Sequence, residues 1–189
     1  MLPSGHGAVD AMPADEFVIV ESGTVHIAGG DVEITLAEGD SIVLRGGSSF
    51  AWTAETDSRL LFMRRTGGPT GDGKIILVDA DAPLAPSGAP LAELLVGPTP
   101  ACRNNTDWKS EDGEFMVGTW DSTPYHRRAM RYGHFELMYL LDGSVTFVDE
   151  AGVEGTFSKG DIFLVEQGAS CSWDSRVHVK KIYCIYRPA

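Results

Sequence analysis

The chain has 189 residues, 43% of them hydrophobic, with 22 glycines, 10 prolines and a formal net charge of −12. That acidic balance excludes nucleic acid and an anionic membrane surface as partners, because phosphate neutralisation needs clustered Lys and Arg. Three cysteines, Cys102, Cys171 and Cys184, form no paired framework and suit a reducing compartment, so the expected location is cytoplasmic.

The opening MLPSGHGAVDAMPADEF has neither a basic start nor an apolar run, and does not read as a signal peptide. No segment reaches the length of a membrane span. Residues 1–15 read as an irregular arm. Short strand-like runs follow at 17–20, 24–27, 32–36, 41–44, 50–53 and 60–64, separated by Ser22-Gly23, Gly29-Gly30, Glu38-Gly39 and Gly46-Gly47. Residues 66–74 read as a loop, 75–78 as a strand, and 79–90 as a proline-rich crossing segment. Periodicity cannot assign 91–96 to a helical turn or a strand. A strand is predicted over 115–120 and a loop over 121–133. Strands at 135–141 and 144–148 meet at Asp142-Gly143, a pair suited to a tight hairpin. Runs at 161–165, 169–173 and 179–186 complete the chain. Turn residues every eight to twelve positions indicate an all-β barrel or sandwich.

One set of landmarks occurs twice. Glu16 precedes Gly23 by seven residues, and Glu136 precedes Gly143 by seven. Gly39-Asp40 leads to Gly47 and Trp52, and Gly160-Asp161 leads to Gly168 and Trp173 at the same spacings. Arg59 and Lys180 then follow each tryptophan by seven residues. This is an internal duplication. It divides the chain into a first unit over 1–65, a connecting segment over 66–107 and a second unit over 108–189.

Glu-x6-Gly followed by Gly-Asp-x6-Gly resembles the two signature motifs of the cupin superfamily. With the phrase WKSEDGEFMVGTWDSTPYHRR, it is similar to the subfamily that includes ureidoglycine aminohydrolase and the ethanolamine-utilisation cupin. The resemblance implies a bicupin: two tandem double-stranded β-helix, or jelly-roll, barrels, the N-terminal one degenerate. Homodimers are frequent among cupins, which implies a homodimer here. In metal-binding cupins, two His of the first motif, its Glu and a His of the second form one site. Here Glu136 fills the Glu position. The HxH positions hold Met130 and Tyr132, or Ala129 and Arg131 at the longer spacing, and Cys171 stands at the second-motif His. In the first unit Glu16 is present, but Phe50 replaces the second-motif His.

Residues two apart on a strand share a face, so Tyr132, His134 and Glu136 look the same way if pairing is regular. If Glu136 faces the barrel interior, as the resemblance implies, His134 does too, and His134, Glu136 and Cys171 would form an N/O/S set able to take Zn, Mn, Fe or Ni. Alternatively, Glu136 pairs with Arg127, Arg128 or Arg131 and no metal is held, since a buried carboxylate needs a partner. Arg127 or Arg128 at the barrel mouth could clamp a carboxylate. Trp120, Tyr139 and Trp173 would supply flat apolar walls. Lys181 looks inward by parity with Tyr183. The ligand-binding set expected is therefore Tyr132, His134, Glu136, Cys171, Trp173, Arg128 and Tyr139. The function expected is a small-molecule-binding bicupin without the family's usual metal site. The alternative is a metal-dependent hydrolase or oxidoreductase acting on a small nitrogenous or carbonyl metabolite.

Overall fold

A computed structural model of the chain describes residues 1–67 and 71–188. Gly68, Pro69 and Thr70 of the loop expected over 66–74 lie outside the described residues. The chain is nearly all β and divides into two compact units, Met1–Val78 and Asp79–Ala189. Among the described residues, no helix is long and apolar enough to cross a membrane.

The first unit contains β1 (Gly5–Val9), β2 (Glu16–Ser22), β3 (Val25–Gly29), β4 (Val32–Leu36), β5 (Ser41–Leu44), β6 (Phe50–Ala54), β7 (Arg59–Arg64) and β8 (Ile75–Leu77). Two four-stranded antiparallel sheets result, ordered β1-β6-β3-β4 and β7-β2-β5-β8. Val18, Val20, Val25, Ile27, Ile42 and Leu44 form the buried apolar core of this jelly-roll-like barrel. The arm expected over 1–15 is in part a strand: β1 pairs along its whole length with β6. Gly7 makes the approach possible, since a Cβ there would lie 2.8 Å from the Trp52 Nε1.

The second unit begins with β9 (Ala85–Ser87), a 3-10 turn at Ala92–Leu94, β10 (Cys102–Lys109), β11 (Phe115–Ser122) and β12 (Tyr125–Arg131). It continues through β13 (Phe135–Asp142), β14 (Ser144–Val148), β15 (Glu154–Ser158), β16 (Ile162–Val165), β17 (Ser170–Ser175) and β18 (Val179–Tyr186). A six-stranded sheet, β16-β13-β18-β11-β10-β9, faces a four-stranded sheet, β12-β17-β14-β15. The core between them includes Met138, Leu140, Val145, Phe147, Trp173 and Val179. Full burial of such side chains stabilises by about 1.5–3 kcal/mol each. The segment read as a loop over 121–133 holds strand β12, which pairs with β17 although its sequence, YHRRAMR, lacks apolar alternation.

The duplicated sequence landmarks are duplicated backbone devices. The pairing of β2 with β7 slips between Val20 and Ser22, and that of β13 with β18 slips between Leu140 and Asp142. Gly23 (φ 90°) and Gly143 (φ 79°) follow these two bulges. The Gly39 N–H donates to Val20 O at 2.9 Å, and the Gly160 N–H to Leu140 O at 2.8 Å. Asp40 Oδ2 accepts from the Ala37 N–H at 2.8 Å, and Asp161 Oδ2 from the Ser158 N–H at 2.7 Å.

Candidate functional site

The site is built on β13 and β18 of the second unit. Strand alternation buries Glu136, Met138 and Leu140 on one face of β13 and leaves Leu137 and Tyr139 on the other. On β18, Lys181 lies opposite Leu140, and Tyr183 opposite Met138. The Lys181 side chain runs diagonally along the sheet, its Nζ passing 3.1 Å from Met138 Sδ to donate to Glu136 Oε1 at 2.8 Å. Both side chains are almost fully buried. The ammonium also lies 5.0 Å from the Trp120 ring centroid and 5.1 Å from that of Trp173, within cation–π range. His134 Nε2 approaches Glu136 Oε2 at 3.3 Å, so both carboxylate oxygens have partners.

Burial alone would raise the Glu136 carboxyl. The Lys181 ammonium and the bonds from His134 and Lys181 outweigh it and bring the group down to about 2. Glu136 is therefore a carboxylate at neutral pH. Burial pushes the Tyr132 hydroxyl the other way, above the usual phenol range, with Glu136 adding to the shift. The Cys171 thiol is also raised by burial, despite Arg127 nearby, which leaves it a poor nucleophile.

Glu136, Lys181 and His134 line a cavity of two adjoining lobes, about 430 and 230 Å³. Trp120, Met130, His134, Glu136 and Lys181 line both lobes; Tyr132, Trp173 and Arg127 line the smaller one. Tyr125 stacks on Trp173, with centroids 5.6 Å apart at 12°. The indole N–H of Trp173 is held by Ser175 Oγ at 3.1 Å. The walls are thus apolar and fixed, with a few convergent polar groups, the ordinary composition of a small-molecule site.

Four of the seven expected ligand residues, Tyr132, His134, Glu136 and Trp173, come together at this cavity. Cys171 is buried in the core without lining either lobe. Tyr139 lies on the opposite face of β13. Arg128 is exposed and donates to Glu93 O at 3.2 Å. The arginine that reaches the cavity is Arg127, and the partner of Glu136 is Lys181 rather than Arg127, Arg128 or Arg131. The cause of the arginine exchange is a bulge. Arg127 opposes Trp173 and Met130 opposes Cys171, so β12 carries one extra residue between them, and Arg127 and Met130 both face the cavity. Asn104 also lines the larger lobe, from β10, a strand whose sequence CRNNTDWK gives no clear alternation signal.

The residues present do not fit the metal of metal-binding cupins. Among the described residues, no group of three or more His, Cys, Asp or Glu side chains is arranged to hold an ion. The Lys181 ammonium sits directly against the carboxylate that would have to ligate. In the first unit, the corresponding Glu16 pairs with Arg64 Nε at 2.5 Å. There Leu60, eight residues past Trp52, stands where Lys181 stands eight past Trp173, and it packs on the apolar core.

The antiparallel barrel with a glutamate on its inner wall defines a cupin-type protein. The EutQ-like cupin domain matches residues 3–59 and 109–183, and the chain belongs to that family. A protein of unknown function of the DUF861 family from Pseudomonas syringae pv. tomato str. DC3000 is 33% identical, with a TM-score of 0.91 over 96% of this chain and 78% of that one. A cupin 2 conserved barrel domain protein from Leptotrichia buccalis shares the fold at 10% identity, with a TM-score of 0.66 over 98% of this chain and 80% of that one. Protein Ylba from E. coli, also of the DUF861 family, shares it at 14% identity, with a TM-score of 0.57 over 98% and 74%. No curated protein matches the chain.

Proposed function

We propose that the second unit binds a small metabolite without a metal, in the cavity around Glu136 and Lys181. The single observation that carries this reading is the Lys181–Glu136 pair, 2.8 Å apart, with the ammonium within cation–π range of two tryptophan rings. An internal ammonium supplies the positive charge at the glutamate, and a metal ion would have to displace it. The fixed carboxylate, ammonium and imidazole offer both acceptors and donors to a carbonyl or amide group held against the aromatic walls. The first unit, whose core is apolar at the matching level, acts as structural support. The glycine and glutamate landmarks support a place in the bicupin subfamily that includes ureidoglycine aminohydrolase. Three free, buried cysteines are compatible with a cytoplasmic location.

The test is elemental analysis of the untagged protein, purified without chelator and again after dialysis against Mn, Fe, Ni and Zn. Metal far below one equivalent per chain is expected, unchanged in Glu136→Gln. Near one equivalent that is lost in Glu136→Ala would overturn the reading in favour of a metal-dependent enzyme.

A further inference from the structure

Arg127 is a second buried cation of the cavity, in its smaller lobe. It is 3% exposed. Its guanidinium donates to Arg128 O and Cys171 O, both at 3.1 Å through one terminal nitrogen, and to the Tyr132 hydroxyl at 3.1 Å through the other. Every one of these partners is a neutral oxygen. Of five N–H donors, Nε and the second hydrogen of Nη2 remain, a spacing that suits the two oxygens of a carboxylate. A buried cation without a counter-charge is costly.

The rest of the cavity does not supply that counter-charge. Among the described residues that line it, Glu136 is the one carboxylate, against Arg127 and Lys181 in the smaller lobe and Lys181 and Arg187 in the larger. Glu136 is already matched by Lys181 at 2.8 Å. The lining therefore keeps a positive balance inside a chain whose net charge is −12. A general electrostatic attraction cannot account for this, because the surrounding protein is acidic; the excess is local to the cavity lining.

We infer that Arg127 is the carboxylate clamp of this cavity, and that the ligand class is a small organic carboxylate. Its acid group meets the Arg127 edge beside Tyr132. Its remaining body lies against the Trp120 and Trp173 rings, which meet edge to face with centroids 5.8 Å apart, and a second polar group reaches His134 and the Glu136–Lys181 pair. Arg127 is also set in place by the bulge that turns Arg128 outward, so the fold selects this arginine over its neighbour.

The inference rests on the cavity being a ligand site, and the experiment separates the two. The wild-type protein is titrated at constant ionic strength with sodium benzoate and sodium acetate, and with neutral benzamide and acetamide. Tryptophan fluorescence and the thermal midpoint are followed. The acids are expected to quench fluorescence and raise the midpoint at concentrations where the amides do neither. Arg127→Gln should weaken the acid response about tenfold or more, the usual worth of a charge-assisted contact. Arg127→Lys should retain part of it, and Arg128→Gln should titrate as wild type. Equal responses to acid and amide, both abolished by Trp120→Ala, would leave the pocket and overturn the clamp. The same holds if Arg127→Gln, folded by circular dichroism, titrates as wild type. No response to any of the four compounds would overturn both.

Discussion

Lys181 is paired in the sheet with Leu140, yet its ammonium reaches Glu136, four residues further along β13. The pair is thus fixed by the full length of a lysine laid across Met138, and no shorter cation could replace it. Lys181→Met leaves a buried carboxylate with His134 as its remaining partner. A loss of about 3–5 kcal/mol is expected, because the solvation cost of the surviving charge is then unmatched. The double variant Lys181→Met with Glu136→Gln should recover much of that loss. Urea unfolding of the four proteins checks this; single and double losses that simply add would show the two groups to be uncoupled.

The same pair sets the response to acid. Glu136 titrates at about 2 in the folded protein, below its ordinary value. A depressed carboxyl contributes stability that is present above the unfolded value and lost as pH falls through the folded one. Stability should therefore decline between about pH 5 and pH 2, and the decline should be shallower in Glu136→Gln. Denaturation midpoints of both proteins across that range test it. Parallel curves would assign the acid sensitivity elsewhere.

The hairpin glycines differ sharply in what they tolerate. A Cβ on Gly143 would lie 2.0 Å from His178 O, at φ 79°. Gly160 has φ 95° but open space around the same position. Gly160→Ala should cost about 1–2 kcal/mol, the penalty for a left-handed L-residue alone. Gly143→Ala should cost clearly more and lower soluble yield, since backbone must move. Comparable thermal midpoints for the two variants would contradict this.

Cys102, Cys171 and Cys184 are all buried, and burial raises each thiol. In native buffer at pH 7.5 or so, all three should react with a thiol-specific disulfide reagent far more slowly than in denaturant. Cys102, which lines the smaller lobe, should be the first to react and the one slowed by a cavity ligand. Rapid native labelling of Cys184 would mean that the second barrel opens readily.

The duplication was legible in sequence because its markers are backbone requirements. Gly23, Gly39, Gly143 and Gly160 adopt positive φ, and Asp40 and Asp161 hold matched turn hydrogen bonds, so the residue types are dictated locally. Glu136 followed from the cupin motif, and His134 from strand parity counted two residues back from it. Arg128 was expected at the cavity in place of Arg127 because 121–133 read as a loop, with no strand to count along, and the bulge that turns Arg127 inward leaves no mark in side-chain chemistry. The partner of Glu136 escaped for a different reason. Lys181 was readable as inward-facing, but its pairing spans the register between two strands, which no pattern within one strand encodes. Strand β12 itself was hidden because its three arginines and histidine lack an apolar rhythm. Its existence depends on pairing with β17.

The bulge in β12 also bears on changes of chain length. Arg128 and Ala129 together oppose a single position of β17, and both point away from the cavity. Loss of either residue would restore plain alternation while leaving Arg127 and Met130 facing inward. A one-residue insertion or deletion between Tyr125 and Arg127 would instead turn part of the cavity lining inside out. At one point in this strand, then, length is free to vary; two residues earlier it is fixed by the cavity.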